Sequence, residues 1–150
     1  MKTIEMEIAL ANYFNYRANI VVTNISWGMG LHECDLLVLS KAGYLTEIEI
    51  KVSKSDLKND VLKKHEHKNH KIKSLYFAFP DGHPDWVEYV PERAGIIEVY
   101  SVNKCRTFRA PIFNFTIPVS QQERENMLRL AYMRTWTLKR KLFKIISKGK

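Results

Sequence analysis

An α/β fold built on one mixed sheet follows from three observations. Helical apolar spacing over residues 3–14 gives way to a succession of short β-type runs that begins at Asn19. A helical pattern over residues 53–65 lies between two such runs, as a crossover between parallel strands requires. A capping box at Ser120 opens a long basic helix near the end of the chain.

The first helix runs from Thr3 to Phe14. Ile4, Ile8 and Ala11 make one apolar row, widened by Leu10 and Phe14. At about 100° per residue, Glu7 falls inside that arc and Glu5 opposite it. An acid on the apolar face either pairs with Lys or Arg at the edge of the core or belongs to a site. Asn19 to Ile25 is β-rich and reads as a strand. Ser26 to Gly30 is a loop whose Trp27 and Met29 either cover the core or meet a nucleobase.

The hairpin from Asp35 to Lys51 comes next. Ser40-Lys41-Ala42-Gly43-Tyr44 suits a three-residue loop with Gly43 in the left-handed conformation. This loop pairs Ser40 with Tyr44 and, counting back, Asp35 with Glu49, about 5 Å apart at Cβ. Glu47, Glu49 and Lys51 then share one face, and Ile48, Ile50 and Val52 share the other. A slip of one residue would set Asp35 opposite Ile50.

Ser55 suits the cap of the helix that follows, with Leu57, Val61 and Leu62 as its apolar stripe and an end near His65. Ser74–Phe79 is a strand stopped by Pro80-Asp81-Gly82. Pro84–Tyr89 is a short helix, Ala94–Tyr100 a strand and Lys104–Ala110 an edge strand. The final helix carries Leu128, Ala131, Leu138, Leu142 and Ile145 at near-heptad spacing, interrupted by Thr135. Residues 1–118 form the expected core domain, and residues 119–150 the basic helix packed on it. Packing against a second copy, giving a homodimer, and lying on a membrane surface are the alternatives.

The 150 residues carry a net charge of +8. Residues 119–150 hold nine Lys/Arg against Glu123 and Glu125, and residues 51–73 hold eight lysines and three histidines. Such clusters suit a polyanionic partner, DNA or RNA, as well as plain solubility. No apolar run approaches the ~20 residues of a membrane span. The first residues lack the apolar core of a signal peptide, and Cys34 and Cys105 have no zinc-type spacing. A cytoplasmic setting is expected.

Charge within the central hairpin is the feature that asks for chemistry. Buried strands read as apolar runs, and unpaired charge in them is costly. Either Asp35, Glu49 and Lys51 lie on a solvated face, or their carboxylates gather around a divalent cation that removes their repulsion. Glu7 reaches the same place if its helix packs across the sheet, and Glu47 is a further acid on the same face. His32 lies close to Asp35 and suits a contact to the site or to phosphate. His65 and His67 are either a zinc-type pair or a solvated helix end.

The order helix-Glu7, strand-Asp35, then Glu49-x-Lys51, a helix and a strand resembles the PD-(D/E)XK nuclease superfamily. The likeness covers residues 3–100. Cys34 stands where the name-giving proline would precede Asp35, a position at which that superfamily often lacks it. Residues 51–60 are similar to the stretch after this motif in small bacterial MmcB-like DNA-repair proteins. The resemblance implies a restriction-endonuclease-like αβββαβ core and Mg²⁺- or Mn²⁺-dependent hydrolysis of DNA by an endonuclease or repair nuclease. It implies Asp35, Glu49 and the carbonyl of Ile50 as metal ligands, with Glu7 and Lys51 completing the catalytic set. Glu7 would orient Lys51 or hold a second metal. Ser53, Lys54, Ser55, Lys58, Lys63 and Lys64, with Arg140 and Lys141, are the expected nucleic-acid contacts. The rival expectation is a non-catalytic nucleic-acid-binding protein on the same scaffold.

Overall fold

The computed structural model describes residues 1–60, 62–63 and 67–149. Six strands form one sheet: β1 (Ile20–Ile25), β2 (Cys34–Leu39), β3 (Leu45–Ile50), β4 (Ile72–Pro80), β5 (Gly95–Ser101) and β6 (Lys104–Arg109). Their order across the sheet is their order along the chain. β1, β2 and β3 run antiparallel, β3, β4 and β5 parallel, and β6 antiparallel to β5. Parallel neighbours need a crossover. α2 (Lys54–Asp60) lies between β3 and β4, and a 3-10 helix (Pro84–Tyr89) between β4 and β5.

The two faces of the sheet are covered by different elements. Ile48 and Ile50 join Leu36, Val38, Ala78, Ile97 and Val99 beneath Met6, Ala9 and Leu10 of α1 (Thr3–Tyr13). On the other face, Leu37, Leu39, Leu45 and Ile72 meet Met127 of α3 (Gln121–Lys148). Beside them, Leu75, Phe77 and Phe79 pack on Leu57 of α2 and Trp86 of the 3-10 helix. Each fully buried side chain of this size contributes about 1.5–3 kcal/mol.

The hairpin register is the one the turn dictates. Leu39 pairs with Leu45 and Leu36 with Ile48, so the next step sets Asp35 beside Glu49. The Ser40 amide donates to the Tyr44 carbonyl (3.0 Å) and the Gly43 amide to the Ser40 carbonyl (2.9 Å). Gly43 has φ 91°, and a Cβ there would come within 3.0 Å of Pro118.

The helices depart from expectation in three ways. The buried stripe of α1 is Met6, Ala9 and Leu10, whereas Ile4 and Ile8 are 60% and 49% exposed. Glu7 therefore flanks the buried stripe and is only half-buried. The cap of α2 is Ser53, whose Oγ accepts from the Asp56 amide (3.2 Å), not Ser55, and Leu62 is exposed. Val61, Lys64, His65 and Glu66 lie outside the described residues.

The third departure concerns α3. Its capping box forms as expected: the Glu123 amide donates to Ser120 Oγ (3.1 Å) and the Ser120 amide to Glu123 Oε1 (3.4 Å). Only its first turns dock, however. Met127 is buried, Leu130 and Ala131 are partly so, and residues 135–149 are all exposed. Leu138, Leu142 and Ile145 stand in solvent, and Thr135 bonds the Ala131 carbonyl of its own helix (3.1 Å). Residues 110–120 cross to this helix without regular structure, tied down by the Asn114 amide on the Lys73 carbonyl (2.8 Å) and the Val119 amide on the Gly43 carbonyl (2.8 Å). Among the described residues no helix is long and apolar enough to cross a membrane.

Candidate active site

Strand alternation decides which β3 side chains meet. Ile48 and Ile50 turn toward α1, so Glu47, Glu49 and Lys51 turn to the opposite face. There they are 0%, 1% and 3% exposed. Charge this deeply buried persists only when it is paired. Lys51 Nζ donates to Glu49 Oε2 (2.9 Å) and to Asp60 Oδ1 (2.7 Å). Asp60 comes from the last turn of α2, one helical turn from the buried Leu57, which brings it onto the sheet.

Three more bases close the network. Lys63 Nζ lies 2.7 Å from Asp60 Oδ1 and 3.2 Å from Glu49 Oε2. His67, in a positive-φ turn, donates from Nδ1 to Glu47 Oε1 (2.8 Å) and from Nε2 to Asp60 Oδ2. His32 Nε2 reaches the same Glu47 Oε1 (2.7 Å). The result is a chain of alternating acids and bases: Glu49, Lys51, Asp60, His67, Glu47, His32.

Burial and pairing set the protonation states. Burial disfavours the charge on His67, but the hydrogen bonds to Asp60 and Glu47 outweigh it and lift its pKa to about 9. Asp60 sits far below the usual carboxylate range despite burial, because His67, Lys51 and Lys63 all donate to it. Glu47 is likewise lowered against its burial, by His32 and His67. Glu49 goes the other way: burial and then the charge of Asp35 raise it, against the pull of Lys51. Two buried oxygens in this network, Glu47 Oε2 and Glu49 Oε1, have no hydrogen-bond partner among the described residues, although His67 Nδ1 lies 3.7 Å from Glu49 Oε1.

Asp35 stands half-buried near the start of β2, where the Ile50 amide donates to its Oδ2 (2.8 Å). Its charge is felt by Glu49 and also by Glu7, whose pKa is raised by burial first and by Asp35 against an Asn24 hydrogen bond. Asn24 Nδ2 reaches Glu7 Oε1 (3.4 Å), and the Asn24 carbonyl accepts from Arg134 of α3 (2.6 Å). Asp35 thus links Glu7, on the α1 layer, to Glu49, on the other. The side chains that orient Lys51 are Asp60 and Glu49, not Glu7.

The expected nucleic-acid contacts divide. Lys54 is paired with Asp85 (2.7 Å), Lys58 lies 4.8 Å over the Tyr89 ring, and Ser53 caps α2. Lys63 belongs to the buried network rather than to an open binding surface. Ser55, Arg140 and Lys141 are exposed, and Lys64 lies outside the described residues. In the loop before the hairpin, Met29 is buried at 3% and Trp27 is 60% exposed, so only the tryptophan is presented to a ligand. A cleft of about 530 Å³ borders the network, with Asp60, His67, Phe77, Tyr89, Lys68 and Arg93 in its walls.

Asp60 is the member that sequence reasoning missed, and His67 entered it only as half of an alternative zinc-type pair with His65. His67 is no solvated helix end but a buried centre of the network, 3% exposed. Asp60 had a signal, its i,i+3 spacing from Leu57. For His67 the signal was its His-x-His spacing with His65.

No family model matches the chain. No curated protein matches it either. Among solved structures it is similar to SPO1766, a protein of unknown function from Silicibacter pomeroyi. That match has a TM-score of 0.69 over 95% of this chain and 91% of the other, at 15% identity. At this identity the likeness shows a shared fold.

Proposed function

We propose that this chain is a metal-dependent phosphodiester hydrolase acting on DNA, an endonuclease or repair nuclease on a restriction-endonuclease-like core. The observation that carries the reading is the buried Oε1 of Glu49, 1% exposed, without a hydrogen bond among the described residues and within the field of Asp35, with Lys51 two residues on. Two carboxylates and the neighbouring Ile50 carbonyl are the hard oxygen donors that Mg²⁺ or Mn²⁺ prefers. When bound, such an ion would acidify a water and screen charge on the phosphate.

The rest of the chemistry falls to the chain's own residues. The Ile50 amide fixes one oxygen of Asp35, leaving the other for a ligand. Lys51 supplies a fixed cation for the phosphate, and its clamp between Glu49 and Asp60 limits the reorganisation needed in the transition state. Glu7, whose carboxyl pKa is raised by burial above its ordinary value, lies within the field of Asp35. Ser55, Arg140 and Lys141 are exposed positions for backbone contacts.

The second reading, a nucleic-acid-binding protein without cleavage, is favoured by one observation. Lys51 is 3% exposed and already donates to two carboxylates.

Incubation with supercoiled plasmid and branched DNA, with Mg²⁺ or with EDTA, separates the two. Nicking that needs Mg²⁺ and falls by about 10²-fold or more in Glu49→Gln and Asp35→Asn is expected. Cleavage that survives both substitutions removes the assignment. A gel shift without cleavage selects the second reading.

A further inference from the structure

We propose that His32, Glu47 and His67 form a separate site for a borderline-soft divalent cation of the zinc type. The inference does not depend on the nuclease reading, which rests on Asp35 and Glu49.

The geometry points there first. One ligand atom from each of the three residues lies within 4.8 Å of the others. His32 Nε2 and His67 Nδ1 converge on Glu47 Oε1, at 2.7 and 2.8 Å. Two imidazoles and one carboxylate are a donor set for Zn²⁺ and its first-row neighbours, not for Mg²⁺. A second observation is independent of that convergence. Glu47 is 0% exposed, yet its Oε2 has no hydrogen-bond partner among the described residues. A buried carboxylate oxygen left bare is costly, and a cation held by Glu47 would offset that cost.

The surroundings also fit. Metal-bound histidines usually donate their other ring N–H to a carboxylate, which fixes tautomer and orientation. His67 does this, with Nε2 on Asp60 Oδ2 while Nδ1 faces Glu47.

A neighbouring set of Glu49, Asp60 and His67 meets the same distance criterion. It is the poorer site, because the ammoniums of Lys51 and Lys63 already sit on Glu49 and Asp60 at 2.7–3.2 Å. No lysine or arginine is paired with Glu47 among the described residues.

The test uses the full chain, stripped with EDTA and desalted, then titrated with Zn²⁺ by calorimetry and with Co²⁺ by visible absorption. One equivalent of either ion is expected to bind, with Co²⁺ bands typical of nitrogen–oxygen coordination, and excess Mg²⁺ should not displace it. His32→Ala and Glu47→Gln should each weaken binding about tenfold or more, and Asp60→Asn by about 10–100-fold. Asp35→Asn should leave it unchanged. The wild-type Co²⁺ spectrum carries the test if a variant fails to fold. Absence of stoichiometric Zn²⁺ and Co²⁺ binding by the wild type overturns the proposal. So does full affinity in the His32→Ala variant, or an equal loss in Asp35→Asn. Failure of the wild type to cut DNA, with Zn²⁺ still bound at His32 and Glu47, would remove the nuclease reading alone.

Discussion

Lys51 shows how a single residue holds a buried network together. Its ammonium is the shared partner of Glu49 and Asp60, and Lys63 only partly duplicates it from a more exposed position. Lys51→Met leaves buried carboxylates short of compensation, and breaking such a pair costs about 3–5 kcal/mol. Urea unfolding reads this directly, and a loss below about 1 kcal/mol would mean that Lys63 takes over. His67 adds a pH dependence in metal-free protein. Its pKa is about 9 when folded, against the ordinary 6.5. A raised pKa stabilises fully below 6.5, and that stabilisation is lost as pH rises through 9. The urea midpoint should fall over that interval, and His67→Gln should flatten the fall; an unchanged slope in the variant would refute the assignment. At this scale the sequence displayed Asp35, Glu49 and Lys51, with Glu47 and His32 as further candidates. Asp35, Glu49 and Lys51 were legible because charge in a strand violates the expected apolar pattern. Asp60 was not singled out because its one signal, the i,i+3 spacing from Leu57, sits at the end of a short helix, and His67 showed only the His-x-His pattern with His65.

At the scale of elements, strands were easier to read than helix faces. A strand has only two faces, so alternation together with the Gly43 turn suffices to assign every side chain of β2 and β3. A helix face is a matter of degree, and Ile4 and Ile8 drew the α1 stripe to the wrong side of Met6 and Leu10. The same weakness affects α3, whose near-heptad row implies a partner along its whole length while only its first turns dock. Ending the chain after Thr137 should therefore change unfolding stability by no more than about 0.5 kcal/mol, as exposed positions do. The same truncation removes Lys139, Arg140, Lys141, Lys144, Lys148 and Lys150. If these neutralise phosphates, the salt dependence of DNA binding becomes shallower. A large loss of stability would show that the exposed half of α3 supports the fold.

For the molecule as a whole, one sheet divides the chemistry into layers. α1 and Glu7 lie on one side, the buried acid–base network on the other, and Asp35 joins them from the start of β2. The α/β class, the crossover through α2 and the capped final helix were all visible in the sequence, because each follows from local spacing. Layer positions were not, because they depend on how distant elements close over one another. The order of the strands across the sheet has a consequence of its own. Position in the sheet repeats position in the chain, from β1 to β6. A polypeptide emerging from the ribosome can therefore lengthen its sheet at one free border, each strand meeting a neighbour already made. None has to wedge between two that have joined.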